Sequence, residues 1–199
     1  AFGIQYTDKD NKLQYVRQTS WGLSTRIIGA IIMVHGDDDG LKLPPRIAPV
    51  QVMICPIMQK KEGVLQKADE IRDELIKAGF RVKVDDRDKN PGFKFADCEM
   101  RGIPLRIEIG PRDIENGEAV LVRRDTREKE TVSFADLSRR VGELLESIQN
   151  DMYEHAKAHL EAHTFSATTM DEMEEILDTK KGFVKAMWCG CRECEDAIK

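Results

Sequence analysis

The chain has 199 residues, with 31 Lys and Arg against 36 Asp and Glu, a formal net charge of −5, and 34% charged against 6% aromatic residues. That length allows one or two domains with a substantial core, and the composition is that of a globular chain rich in surface ion pairs. No run approaches the ~18 apolar residues of a membrane span and no basic-plus-apolar leader opens the chain, so we expect a cytoplasmic protein with no membrane partner. The acidic balance argues against a general nucleic-acid coat but leaves room for a local basic face.

In chain order, Phe2–Tyr6 and Leu13–Gln18 alternate apolar and polar residues around the turn cluster TDKDN, which predicts a β-hairpin. A polar stretch with a Trp21-Gly22 step follows, and then the apolar run Ile27–Val34. Ser24 or Thr25 can cap a helix there, and its apolar residues are too dense for a solvent-facing stripe, so a buried helix is expected. Arg26 would sit in its first turn, where dipole and burial both call for an anionic partner, either a carboxylate or a phosphate. HGDDDG then reads as a turn, and Pro44, Pro45 and Pro49 stiffen a connector and mark a domain boundary near 44–49.

Val50–Ile57 is a continuous apolar strand of the doubly buried kind. A helix from Gly63 carries Leu65, Ala68, Ile71, Leu75 and Ala78 and stops at Gly79, and Phe80–Val84 is the next strand, parallel to the first. Asp85–Gly102 reads as a loop and a short helix, and Pro104–Ile109 as a strand with Arg106 among apolar neighbours. Gly110–Gly117 reads as a turn, and Ala119–Arg123 and Thr131–Val132 as strands joined by the charged hairpin RDTREKE. Ser133 with Asp136 caps a helix whose Leu137, Val141, Leu144, Ile148 and Met152 share one face. The result is a small α/β domain with a mixed sheet over about 48–150.

The helix runs on through YEHAKAHLEAH, where His155, His159 and His163 are four apart. That spacing can hold a metal, although a polar helical face is the commoner reason for it. Thr169 with Glu172 caps a further helix to Leu177, and GFVKAMW reads as a strand. Of the five cysteines, Cys55 and Cys98 stand alone, while Cys189, Cys191 and Cys194 crowd into the last eleven residues. An odd count with one tight cluster favours reduced thiols and a metal knuckle over disulfides. Both ends read as cut, as though this were the C-terminal portion of a longer protein.

The stretch SWGLSTRIIG…HGDDDGLKLPPRIAP resembles motif 3 of the class II aminoacyl-tRNA synthetases, in the form carried by the prolyl-tRNA synthetase family. The resemblance implies that residues 1–47 end an antiparallel catalytic domain, with Arg26 as the catalytic contact to ATP and Trp21 and Gly22 lining the amino-acid and adenylate floor. It implies ATP and Mg as cofactors, proline and proline tRNA as partners, and a homodimer. The α/β unit resembles a class IIa anticodon-binding domain. Between Arg87 and Arg112 lie Lys89, Lys94, Arg101 and Arg106 with Phe93 and Phe95 interleaved. Single-stranded RNA is read by splaying bases onto aromatic or guanidinium planes, and a carboxylate can accept from guanine's N1–H and N2–H. A solvated loop over ordinary core phenylalanines is the plainer alternative. The family's PGFKF…E…R…GPR pattern makes Phe95, Glu99, Arg106 and Arg112 the anticodon contacts, with Lys94 and Arg101 as phosphate contacts. Residues 151–199 resemble the small α+β zinc-binding C-terminal domain of the archaeal- and eukaryotic-like members. Its C-x4-C pair corresponds to Cys189 and Cys194, with Cys191 outside that pattern, and zinc is the implied ion. A non-catalytic module binding tRNA or protein is the competing reading.

Overall fold

A computed structural model of the chain describes residues 3–198; Phe2, assigned above to the first strand, and Lys199 lie outside the described residues. The hairpin forms from β1 (Gln5–Thr7) and β2 (Leu13–Tyr15), antiparallel, with Gln5 opposite Tyr15. Its turn is closed by Asp8, whose carboxylate accepts from the amides of Asp10 and Lys12, both at 2.9 Å.

Helix α1 (Arg26–His35) forms where the apolar run predicts it, but none of its residues is buried. The expectation of a buried helix is corrected: Val34 and His35 border Met152 and His155, while Ile28 and Met33 face outward uncovered by this chain. Thr25 stands at the N-cap without a side-chain capping bond. The connector that follows is strapped to the rest of the molecule. Leu41 and Leu43 donate their amides to the carbonyls of Met100 and Gly102, each at 3.2 Å. Gly102 (φ +68°) permits the approach, because a Cβ there would lie 2.6 Å from the Leu41 Cβ.

The central unit is a five-stranded sheet in the order β4-β3-β5-β6-β7, built from β3 (Val52–Pro56), β4 (Val82–Val84), β5 (Leu105–Ile109), β6 (Glu118–Arg123) and β7 (Lys129–Ser133). The first three are parallel and the last two antiparallel, the mixed sheet that the alternation of strands and helices predicts. Helix α2 (Val64–Lys77) connects β3 to β4, and α3 (Pro91–Met100) connects β4 to β5. Asn90 caps α3 by accepting the Phe93 amide at 2.7 Å, with Pro91 in the first turn. Gly110–Gly117 is not only a turn: Pro111–Asn116 winds into α4. The signals were local, since Pro111 fits a first turn, Asp113 accepts the Gly110 amide at 2.7 Å, and Gly117 (φ +72°) ends it.

Helix α5 (Phe134–Ala162) buries Leu137, Val141, Leu144, Ile148 and Met152 as predicted. With α2 it covers the sheet face carrying Ile54, Leu105, Ile107 and Leu121. Each such side chain contributes roughly 1.5–3 kcal/mol on leaving water, so this face holds most of the core's driving force. At the start of α5 the Ser133 hydroxyl donates to the Asp136 carboxylate (3.1 Å) and makes no bond to a helix amide, so the predicted cap closes between side chains. The opposite sheet face is covered by α3 only over β3, through Met53, Cys55, Cys98 and Ile103. Farther across this face Phe95 and Glu99 of α3 reach Arg106 on β5, Arg106, Glu108 and Val122 are buried, and at β7 Lys129 and Thr131 are exposed.

Beyond α5 the chain makes β8 (Thr164–Ser166), α6 (Met170–Thr179), β9 (Phe183–Lys185) and α7 (Arg192–Ile198). Strands β8 and β9 pair in parallel, and β8 was not foreseen. The Thr169–Glu172 capping box is present in full. No helix among the described residues is long and apolar enough to cross a membrane.

Candidate nucleic-acid interface

Period-2 alternation along β5 sends Leu105, Ile107 and Ile109 into the core and leaves Arg106 and Glu108 on the opposite face. The Arg106 side chain is only 8% exposed. Its guanidinium donates twice to one Glu108 carboxylate oxygen, at 3.1 and 2.9 Å, and once to Glu99 at 3.4 Å. The plane lies over the Phe95 ring, 4.2 Å from its centre. Lys129, from the facing hairpin, approaches the same Glu108 carboxylate at 3.6 Å. Three of the four residues expected to meet an anticodon, Phe95, Glu99 and Arg106, thus meet each other on one face. Arg112 is apart from them, exposed in the first turn of α4 beyond the end of β5, and makes no ion pair among the described residues.

The two expected phosphate contacts separate. Lys94 is 1% exposed, and its ammonium donates to Gln59 at 2.6 Å and to the Asp85 carbonyl at 2.7 Å. This corrects the phosphate assignment: helical spacing turns Lys94 inward, one residue from exposed Phe93, and its charge is spent on tying α3 to the ends of β3 and β4. Arg101 remains at the surface, paired with Asp97 at 3.2 Å. Asp97 also accepts from Arg87, which forks onto Asp85 at 2.8 and 2.7 Å. The Arg87 guanidinium holds the Asp85 carboxyl below the usual carboxylate range against the opposing effect of burial.

The hairpin beyond β6 adds groups that spacing alone read only as charge. A cleft of about 210 Å³ opens between α3 and the sheet, bordered by Glu99, Arg106, Arg124, Arg127 and Lys129. Arg124 is buried, donating to Asp37 at 3.0 and 2.6 Å and to the Glu99 carbonyl at 3.1 Å. The available signal was the pairing of β6 with β5, which carries a basic hairpin back beside Arg106.

In the N-terminal stretch, Trp21 is 94% exposed, Gly22 has open space around it, and Arg26 donates to the Ser24 hydroxyl at 3.4 Å. Arg26 makes no ion pair among the described residues. At the other end, the sulfurs of Cys189, Cys191 and Cys194 lie within 4.8 Å of one another. Three thiolates at that spread fit three corners of a tetrahedral zinc site, and Cys191 belongs to the cluster rather than standing outside it. The amide of Cys191 holds the Cys189 thiol below its ordinary value, while the hydrogen bond with Cys189 pushes Cys194 up. The three histidines do not gather in this way: His159 and His163 stack with ring centres 4.1 Å apart, and His155 faces the border of α1.

A mixed sheet with one partly basic face flanked by a helix bearing an aromatic and a carboxylate is an arrangement suited to unpaired bases. Residues 51–144 match the anticodon binding domain family. Over all 199 residues the chain is 65% identical to "Proline--tRNA ligase" of Lachnospira eligens, covering 42% of that protein. It is 64% identical to the protein of the same name in Lachnoclostridium phytofermentans and 62% identical to that of Clostridium novyi, covering 41% of each. All 199 residues match proteins named proline–tRNA ligase, and the chain spans about two fifths of the length of the curated relatives it matches.

Proposed function

We propose that this chain is the tRNA-recognising part of a proline–tRNA ligase, with 1–47 from the end of the catalytic domain, 48–150 as the anticodon-binding domain and 151–199 as a small zinc-binding domain. The observation that carries the reading is the seating of Arg106 between the Phe95 ring and the Glu99 and Glu108 carboxylates, at the border of the cleft between α3 and the sheet. Such a seat presents a rigid guanidinium and aromatic edge for base stacking. Glu99 keeps acceptor capacity for the N1–H and N2–H of a guanine, and glutamate is acceptor-only when ionised. Arg112 and Arg101, at the rim, offer cations to the backbone or to base edges. A purine without those donors would leave the carboxylate unpaired, which is how a site rejects an analogue.

In the intact ligase, ATP with Mg would activate proline's carboxylate as the adenylate before transfer to a terminal ribose hydroxyl of the tRNA. Arg26 would neutralise polyphosphate charge there, and Trp21 and Gly22 would line the adenylate floor. Zinc would be held by Cys189, Cys191 and Cys194 and would order the segment around α7. Dimerisation and a cytoplasmic setting follow from the same reading. The competing reading, a module that binds tRNA or protein without catalysis, draws support from the exposure of Trp21 and Arg26. Pyrophosphate exchange separates the two: activity that disappears in Arg26→Ala supports the ligase, and none in any longer form supports the module.

Recognition is tested with a fluorescent anticodon stem-loop of proline tRNA. Glu99→Ala and Arg112→Ala are expected to weaken binding at least about tenfold, a loss of roughly 1.4 kcal/mol, with far-ultraviolet circular dichroism unchanged. Arg101→Ala should lower the slope of log affinity against log salt by about 0.7. Lys94→Met should leave that slope intact and lower stability instead. Unchanged affinity in both Glu99→Ala and Arg112→Ala would sink the assignment.

A further inference from the structure

Cys55 and Cys98 serve neither the metal cluster nor base recognition, yet they are neighbours. Cys55 is fully buried on β3, Cys98 is 3% exposed on α3, and their sulfurs lie 3.8 Å apart. Met53, Ile103 and Phe95 pack around them, and the charges of Arg106, Asp85 and Asp97 act on them. Cys98 also borders the 210 Å³ cleft shared with Glu99 and Arg106, which brings a solvent-connected space beside this residue.

We propose that Cys55 and Cys98 form an oxidant-responsive dithiol, a modification site that a hydroperoxide closes to a disulfide and that thereby loosens the anticodon face. The second half of this statement rests on the recognition reading above. The hydrogen bond from Cys55, aided by the charge of Arg106, holds the Cys98 thiol below its ordinary value, while that same bond and burial push Cys55 up. Cys98, which unlike Cys55 borders the cleft, is the attacking sulfur. Its thiolate takes one peroxide oxygen, the O–O bond breaks, and the other oxygen leaves as water with a proton, giving a sulfenic acid. The Cys55 sulfur then displaces that hydroxyl, which leaves as a second water with the Cys55 proton. The two sulfurs lose two electrons and the peroxide gains two.

A disulfide needs sulfurs about 2.05 Å apart, so the pair must close by roughly 1.8 Å from 3.8 Å. Strand β3 is held by neighbours on both sides, whereas α3 is a ten-residue helix between two loops. The helix moves. Phe95 and Glu99, three residues before and one after Cys98, move with it and leave the fixed guanidinium of Arg106.

The test treats the whole chain with hydrogen peroxide, alkylates free thiols and maps tryptic peptides. The expected product joins peptide 47–60 to peptide 95–101 with a loss of two hydrogens, about 2 Da. Affinity for the anticodon stem-loop should fall about tenfold, recover with dithiothreitol, and stay constant under peroxide in Cys55→Ser and Cys98→Ala. Recovery of both cysteines unjoined, or as sulfonic acid, overturns the proposal, and so does a joined product of unchanged affinity. A reduced chain that binds no RNA would refute the recognition reading, and the joined peptide would still decide the dithiol.

Discussion

Arg106→Ala removes a guanidinium that is the chief partner of an almost buried carboxylate. The Glu108 side chain is 10% exposed and would keep only Lys129, at 3.6 Å. Breaking one half of a buried ion pair costs about 3–5 kcal/mol, because the remaining charge stays desolvated. The adjoining cleft admits water, so the low end, about 3 kcal/mol, applies here. Replacing both partners removes the stranded charge, and Arg106→Leu with Glu108→Leu should return to within about 1 kcal/mol of the parent. Arg106→Lys keeps a charge but loses the fork and the stack over Phe95, an intermediate loss of about 2 kcal/mol. Urea denaturation followed by circular dichroism, extrapolated to water, measures all three. The reasoning is refuted if Arg106→Ala lies within about 1 kcal/mol of the parent, or if the double variant is as unstable as the single one.

Arg124→Ala should destabilise by about 2 kcal/mol, since it leaves Asp37 with Lys42, at 3.0 Å, in place of the two-pronged guanidinium and unfastens the connector after α1 from the sheet. The Arg124 hydrogen bonds hold the Asp37 carboxyl far below the usual carboxylate range. A depressed folded value means stabilisation that is fully present above about pH 4 and lost as pH falls below it. The urea midpoint should therefore drop more steeply between about pH 4 and pH 2 in the parent than in Arg124→Ala; parallel profiles would contradict the pairing. Gly102→Ala puts a Cβ 2.6 Å from that of Leu41 at a φ of +68°, and a loss of about 2–3 kcal/mol in the same assay is expected. An unchanged midpoint would mean that the connector does not pack on α3.

Periodicity made the α/β unit legible. The buried run 52–56, the core face of α5 and the parallel pairing of β3 with β4 appear where the spacing placed them, while α2 buries Ala68, Ile71 and Leu75 as expected but takes Val64 in place of the exposed Leu65 and leaves Ala78 exposed. Three short elements escaped it, among them the seven-residue α7. Helix α4 is six residues long and β8 three, too short for an apolar period to accumulate, although Pro111, Asp113 and Gly117 did mark the first. Buried ion pairs were the harder case. Lys94, Arg106 and Arg124 read in sequence as solvated charge, because nothing local tells a cation which carboxylate or carbonyl a distant segment will bring to it.

By itself the sequence determined the core faces of β3, β5 and α5, where caps and glycines stop the elements, and the resemblance to a family whose named members match along the whole chain. These are local or pairwise properties of neighbouring residues, set by backbone sterics and the transfer of apolar groups from water. Tertiary structure alone decided what each charge does. It turned Lys94 inward and left Arg112 free at a strand end. It gathered Phe95, Glu99 and Arg106 from two elements, and brought Cys55 within 3.8 Å of Cys98 across 43 residues. The reason is that an ion's worth depends on its partner and its desolvation, and both are fixed only when the sheet closes against its helices.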